Sequence, residues 1–279
     1  LFLDFLKKHY QFQQIFLRNI SKKNKKMIRN FFFIILTIFF LTPNLFGEEK
    51  AVLKKQEWDF QGIFGRYDKP TLQRGLQIYQ EVCSACHGMK RLRFRELKDL
   101  GFTQEQIKQY AETFEITDGP NDLGEMFTRP GEPSDAFVSP YKNKEEAKAA
   151  FGGAYPLDLS LLTKSMKNGP DYIYSLLTGY EDEPPKGFEL PEGLYYNPYH
   201  DGNVIGMPPP LYDEAIEYID GTNASLHQLS YDIVNFLNWT AEPELEKRKS
   251  LGIKVILFLL VLTALLYVTM KEIWSRIKK

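Results

Sequence analysis

One short motif constrains this chain more than any other feature: Cys83-Ser84-Ala85-Cys86-His87, which has the pattern Cys-x-x-Cys-His. This pattern is the attachment signature of a c-type haem. Two thiols at this spacing can each add to one haem vinyl group and form a thioether, and the adjacent histidine can supply an axial nitrogen to the iron. These are the only two cysteines in the sequence. We therefore predict one covalently bound haem c, with its iron, at Cys83, Cys86 and His87.

Three other uses of a Cys-x-x-Cys pair fit this sequence less well. A thioredoxin-like redox dithiol would lie in a βαβ pattern, and no such pattern surrounds the motif. A structural zinc site would need further ligands, but there is no second cysteine pair and only four histidines. A disulfide that closes so short a loop would stabilise little of a fold.

Apolar runs and charge divide the 279 residues into five predicted segments: an upstream extension (1–26), a signal peptide (27–47), an exported haem c domain (48–250), a transmembrane helix (251–272) and a cytoplasmic tail (273–279). The signal peptide is indicated by basic residues before an apolar run at 31–41 and by the small Gly47 before Glu48. An uncleaved N-terminal anchor is the alternative.

The second apolar run, at residues 255–270, contains no charged side chain. Together with Gly252, Ile253 and Lys254 it approaches the roughly 20 residues that span a bilayer. Basic residues flank both ends, so they do not orient the helix. The predicted signal peptide orients the helix. It predicts a single-pass protein of the inner (cell) membrane, with the haem domain in the periplasm and the C-terminus in the cytoplasm. A buried core helix is the alternative.

Helical periodicity predicts a mostly α-helical domain with long irregular loops. One helix should run from Pro70 to the haem motif and another from Leu226 to Leu237, and we expect these two to cross and close the domain. Further helices are predicted at 103–115, 143–151, 157–167 and 172–177. Turn residues without periodicity predict irregular structure at 119–131 and 180–212. The aromatic residues of the second loop argue against disorder, and loops of that length are usually functional.

The second axial ligand of the iron must come from elsewhere in the chain. Met207 precedes three prolines, which stiffen the backbone and could hold its sulfur against iron. Met89 is too close to His87 to reach the opposite haem face. The alternatives that stay open are Met126, Met166, His200 and His227. A His/Met pair would raise the reduction potential and suit electron transfer. An open iron position would instead indicate a haem enzyme or sensor.

Charge is unevenly distributed along the chain. The whole sequence has 35 basic and 36 acidic side chains, but residues 48–250 have 22 and 34, a net charge of −12. A domain this acidic would attract a basic carrier protein, although solubility alone could explain the charge. The candidate docking residues are Glu181, Asp182, Glu183, Asp213, Glu214 and Glu217. The basic residues between Lys90 and Lys98 are better explained as a solvated face than as a nucleic-acid site, so we predict no nucleic-acid partner.

Longer segments between about Arg74 and Trp274 carry a more specific likeness: VCSACHGM, DGPNDLGEMFTRPG, YPLDLSLLTKS, DYIYSLLTGY, YYNPY, GMPPPLYDE, DGTNAS and AEPELEKRKSLGIKV. In these segments the chain resembles the cytochrome c1 family, the haem c subunits of ubiquinol–cytochrome c reductase (cytochrome bc1) complexes. The resemblance implies a cytochrome c-like domain with His87 and Met207 as axial ligands and thioethers at Cys83 and Cys86. It also implies that the domain works beside cytochrome b, accepts single electrons from a Rieske iron–sulfur protein and passes them to a c-type cytochrome, with no bond chemistry of its own.

The sequence departs from the family pattern in one place relevant to the haem. Family members often carry an arginine that serves a haem propionate near the position of Lys164-Ser165-Met166-Lys167, and here that role would fall to a lysine or to another group. Two alternative functions remain at this point. The chain could be a tethered c-type cytochrome of another respiratory complex, or a haem enzyme or sensor with an open iron site.

Overall fold

The computed structural model describes residues 51–277. The predicted upstream extension and signal peptide lie outside the described residues. The α-helices are α1 (Lys69–Glu81), α2 (Gln104–Glu112), α3 (Lys144–Ala150), α4 (Leu162–Ser165), α5 (Gly169–Leu177), α6 (Leu226–Ala241) and α7 (Leu245–Ile277). The strands β1 (Glu115–Asp118) and β2 (Phe127–Pro130) form one antiparallel pair, and β3 (Tyr195–Tyr196) and β4 (Val204–Ile205) form another. Short 3₁₀ helices lie at Cys83–Ala85, Phe94–Leu100, Leu159–Leu161 and Asp201–Asn203. The described residues thus contain about 47% helix and little strand, which confirms the predicted α-helical class.

Helix α1 begins where its sequence predicts. The Asp68 carboxylate accepts a hydrogen bond from the Thr71 N–H at 3.0 Å, which satisfies one of the free donors of the first turn. Pro70 lies in that turn, where no backbone donor is needed. Leu72 and Leu76 then point into the core at one-turn spacing. The helix therefore delivers the chain to the haem motif from a rigid, packed base.

Helices α1 and α6 cross at Gly75, which confirms that these two helices pack together. A Cβ atom built on Gly75 would overlap the Asp232 backbone and the Phe236 side chain of α6. Only glycine permits so close an approach of the two backbones. The contact between the two helices also includes three almost fully buried aromatic residues, Tyr79, Phe236 and Trp239.

Helix α7 is a single helix of 33 residues that leaves the domain. Its apolar segment has a mean hydropathy of 2.6 and none of that segment is buried against the rest of the described chain. A helix this long and this apolar can cross a membrane. It begins at Leu245, six residues before the predicted start of the span, so the charged residues 245–250 form its first turns.

Four local predictions were wrong in detail. Residues 180–212 do not stay irregular throughout, because they contain the paired strands β3 and β4 and the 3₁₀ turn between them. Residues 119–131 do not stay irregular throughout, because Asp118 pairs with Phe127 at the end of an antiparallel hairpin. Residues 157–167 form a 3₁₀ turn and the four-residue helix α4 rather than one continuous helix. Helix α2 ends at Glu112, because residues 115–118 enter the hairpin. In contrast, helix α3 agrees with the helix predicted at 143–151, and Asn143 caps it by accepting a hydrogen bond from the Glu146 N–H at 2.9 Å.

Candidate haem site

The Cys-x-x-Cys-His motif forms one tight turn directly after α1. The N–H groups of Cys86 and His87 both donate to the Cys83 carbonyl, at 3.2 and 2.9 Å. The backbone of the three motif residues is therefore folded into one compact turn. Both cysteines are free thiols in the structure. Burial raises the pKa of the Cys83 thiol to about 12, which disfavours the thiolate that zinc binding or disulfide exchange requires.

The His87 imidazole is oriented by a residue 70 positions away. Its Nδ1 lies 2.7 Å from the Leu157 carbonyl oxygen, which can only accept, so Nδ1 carries the proton and Nε2 keeps its lone pair. Burial lowers the pKa of His87, which favours the neutral imidazole. A neutral histidine held through one ring nitrogen, with the other available, is the arrangement a metal ligand needs.

The segment that holds His87 is itself fastened to the motif. Leu159 N–H donates to the Gly88 carbonyl at 2.9 Å, and Asp158 accepts from the Lys90 N–H at 3.0 Å. Residues 88–90 and 157–159 therefore run together as one unit beside the imidazole. Sequence reasoning missed this segment, since nothing in its composition indicates which ring it contacts.

The donor set fits a covalently bound haem. Two thiols, a histidine Nε2 and a methionine sulfur on a separate loop are the groups from which a His/Met c-type haem is built. Leu157 keeps 48% of its surface exposed beside His87, which supplies apolar surface at the motif. Among the described residues, no group of three or more His, Cys, Asp and Glu side chains is placed to hold a metal ion without a porphyrin.

Met207 lies on a separate loop that follows β4. Its carbonyl oxygen accepts a hydrogen bond from the Tyr180 hydroxyl at 3.0 Å. Burial raises the pKa of Tyr180, so that hydroxyl remains protonated and able to donate. No sequence pattern indicates this contact. The buried Asn197 lies in the connection between β3 and β4, and its side chain joins that connection to α5 by donating to the Leu176 carbonyl at 2.8 Å.

The alternative ligands occupy other environments. His227 Nδ1 lies 2.8 Å from the Tyr174 hydroxyl, in the contact between α5 and α6. His200 lies 3.0 Å from the carbonyl of its neighbour Asp201. Met126 is 61% exposed in the segment that joins β1 and β2. Met89, which is excluded by its closeness to His87 in the sequence, is fully buried in the core. Lys164, a candidate for the propionates, lies 3.4 Å from the Glu242 carboxylate.

Comparison with known proteins identifies the family. The model of the Cytochrome C1 family matches residues 58–277, which include the haem motif, the Met207 loop and α7. The chain belongs to the cytochrome c1 family. It is therefore a membrane-anchored c-type cytochrome of a cytochrome bc1 complex, an electron-transport protein with haem c as its cofactor. Helix α7 is the single apolar anchor among the described residues.

Individual cytochrome c1 relatives cover most of the chain. Cytochrome c1 of Rhodospirillum rubrum is 52% identical over 247 residues, which are 83% of this chain and 91% of the relative. "Cytochrome c1 1, heme protein, mitochondrial" of Arabidopsis thaliana is 51% identical over 223 residues, 79% of this chain and 72% of the relative. "Cytochrome b/c1" of Bradyrhizobium diazoefficiens is 44% identical over 240 residues, 78% of this chain but 35% of that longer protein.

Proposed function

We propose that Cys83 and Cys86 form the two thioethers to haem c, and that His87 Nε2 and Met207 Sδ are its axial ligands. Bound haem supplies a one-electron couple. The observation that carries the assignment is the His87 ring, held through Nδ1 by the Leu157 carbonyl with Nε2 left as a ligand. The proline-stiffened loop and the Tyr180 bond support the assignment of Met207. Replacement of Met207, described in the Discussion, tests it.

We propose further that the domain carries single electrons from a Rieske iron–sulfur protein to a c-type cytochrome, in contact with cytochrome b. Membership of the bc1 complex supports these partners. A longer relative whose name joins cytochrome b and c1 agrees with the placement beside cytochrome b. In the purified complex, reduction of the haem by quinol should stop when the Rieske protein is extracted and resume when it is added back. Reduction at an unchanged rate without the Rieske protein would contradict this path.

Tyr180→Phe should loosen the loop that carries Met207. The change removes only the hydroxyl that donates to the Met207 carbonyl, a bond worth about 0.5–1.5 kcal/mol. The fraction of molecules with the sulfur displaced should rise, and the affinity of the oxidised haem for added imidazole should increase roughly 2- to 10-fold. Spectrophotometric titration measures this affinity. Tyr212→Phe is the matched control, because Tyr212 follows the same loop and is 65% exposed. Equal affinities in the two variants would show that the Tyr180 bond does not position Met207.

The two acidic runs are the proposed docking surface for the carrier. Glu181, Asp182 and Glu183 are exposed before the Met207 loop, and Asp213, Glu214 and Glu217 are exposed after it. Both runs therefore flank, along the chain, the residue that we assign as an iron ligand. A negative surface there would speed encounter with a basic partner at low salt.

One variant replaces three acidic side chains by their amides: Glu181→Gln, Asp182→Asn and Glu183→Gln. It should reduce a basic c-type cytochrome roughly 10-fold more slowly at low ionic strength, and the rate should depend less on salt concentration. Stopped-flow measurement of the bimolecular rate in the purified complex shows this. The control neutralises three exposed acids on α2 and at the start of β1, Glu105, Glu112 and Glu115, and so makes the same change in net charge. An equal loss of rate in the control, or no loss in the variant, would contradict docking at this surface.

We propose that the haem domain lies in the periplasm and that the C-terminus lies in the cytoplasm. The signal-like segment 27–47 supports this orientation, and α7 provides one anchor after the domain. Protease added to intact spheroplasts should digest the haem-stained domain, while an epitope placed after Lys279 should be removed only in inverted vesicles. The reverse pattern of protection would overturn the orientation.

A further inference from the structure

A short apolar loop before α1 is held in a fixed shape with its tip exposed. Trp58 and Phe60 are buried and stacked, with ring centroids 5.6 Å apart, and they root the loop in the core. At the tip, Ile63 is 69% exposed and Phe64 is 83% exposed. Gly65 closes the loop, because a Cβ there would overlap the Gln61 carbonyl. Two large apolar side chains thus stand on a rigid base with no protein group of the described chain covering them.

Both ends of this loop are fastened to the first turns of α7. The Lys249 ammonium donates to the Phe60 carbonyl at 2.6 Å and to the Gly65 carbonyl at 3.1 Å. Just after the loop, the Tyr67 N–H donates to the Glu246 carboxylate at 2.9 Å. The loop therefore lies against the helix at residues 246–249, and its position along the helix is defined.

This position is the water–membrane interface. A helix rises about 1.5 Å per residue, so the 20 residues 251–270 span about 30 Å, the thickness of the hydrocarbon core. Lys249 lies two residues, or about 3 Å, before that core begins. The headgroup region extends roughly 5–7 Å beyond the hydrocarbon on each side. The loop that Lys249 holds is therefore at the level of the lipid headgroups.

The chemistry of the loop suits that level. Residues 61–65 carry no charge, and the exposed Arg66 follows them. Lys247 and Arg248, on the adjacent turn of α7, are 69% and 61% exposed, although each also lies close to a carboxylate, that of Glu244 and of Glu242. Apolar side chains beside basic ones are the arrangement of segments that rest in a lipid interface.

We infer that Ile63 and Phe64 form a second membrane contact, in which the loop tip inserts among phospholipid headgroups and upper acyl chains next to α7. Its surface is continuous with that of the membrane helix, which is the reason to assign lipid rather than a protein partner. With α7 as one attachment and this loop as the other, the haem domain has a defined tilt over the bilayer. The inference depends on the membrane anchor, and not on the assignment of the iron ligands.

Photo-crosslinking tests this contact in the full chain, assembled in its own membrane. The probe is p-benzoylphenylalanine, placed at residue 64 in one variant and at residue 63 in a second. The control site is Ile219, which is 91% exposed but lies on a segment that bonds to Gln77 of α1. An unchanged haem spectrum shows that each variant is folded.

After illumination, mass spectrometry should find phospholipid adducts at 63 or 64, at least several-fold more abundant than at 219. Adducts mainly with another polypeptide would overturn the inference and make the loop a subunit contact. Lipid adducts at 63 and 64 no more abundant than at 219 would also overturn it. A result that overturned the membrane contact would leave the assignment of the haem ligands unchanged, since the hydrogen bonds of the loop join it to α7 and not to the haem motif or the Met207 loop.

Discussion

Met207→Leu should open the iron of the reduced protein to carbon monoxide. Leucine has nearly the volume of methionine but no sulfur, so the loop can keep its packing while the sixth ligand is lost. The wild-type haem should show no spectral change with carbon monoxide at neutral pH, and the variant should bind one molecule per haem. The reduction potential of the variant should also fall, because a His/Met pair raises it. Absorption spectra with and without the gas, and a redox titration, measure both effects.

Two matched variants make this test specific. Met126→Leu makes the same change at an exposed position of the β1–β2 hairpin and should leave the spectrum as it is in the wild type. His200→Ala removes the ligand alternative that lies nearest to Met207 in the sequence. If carbon monoxide bound to either of these variants but not to Met207→Leu, Met207 would not be the sixth ligand. Ready binding by the wild-type protein would instead indicate that the iron has no sixth protein ligand.

Asp232→Ala should destabilise the domain by about 3–5 kcal/mol, because it leaves a largely buried cation without its partner. The Asp232 side chain is fully buried, and its carboxylate accepts hydrogen bonds from Arg74 at 2.8 Å and from the Tyr218 hydroxyl at 2.8 Å. The hydrogen bond between Arg74 and Asp232 raises the pKa of Arg74 above its ordinary value, so the guanidinium stays charged. Gln228 donates to the second oxygen at 3.0 Å. The network joins α1, α6 and the segment after the Met207 loop.

Urea unfolding of the detergent-solubilised full chain, followed by circular dichroism and by Soret absorption, measures the loss. Asp220→Ala is the control: Asp220 also pairs with Arg74, at 3.1 Å, but is 44% exposed and should cost less than about 1 kcal/mol. Replacing Arg74 and Asp232 together with Met and Leu should cost less than Asp232→Ala, since no unpaired charge remains. If Asp232→Ala cost no more than Asp220→Ala, the buried pair would not be what stabilises the crossing.

The comparison of sequence and structure separates local from long-range information. The haem motif, the start of α1 near Pro70, the helix at 143–151 and the apolar anchor were all predictable. Each of them depends on side chains within a few positions of one another. The β1–β2 hairpin was not predictable in the same way, because its strands are only four residues each with no fully buried side chain, and they exist through pairing with each other.

The sequence by itself determined the cofactor, the set of candidate ligands and the division into a haem domain and an anchor. The tertiary structure alone decided which groups hold those ligands in place. The His87 ring is oriented by Leu157, the Met207 loop by Tyr180 and the crossing of α1 and α6 by Asp232 and Gly75. The physical reason is the same in each case: these contacts join residues 27 to 158 positions apart, and a hydrogen bond or close approach at that separation exists only after the chain has packed.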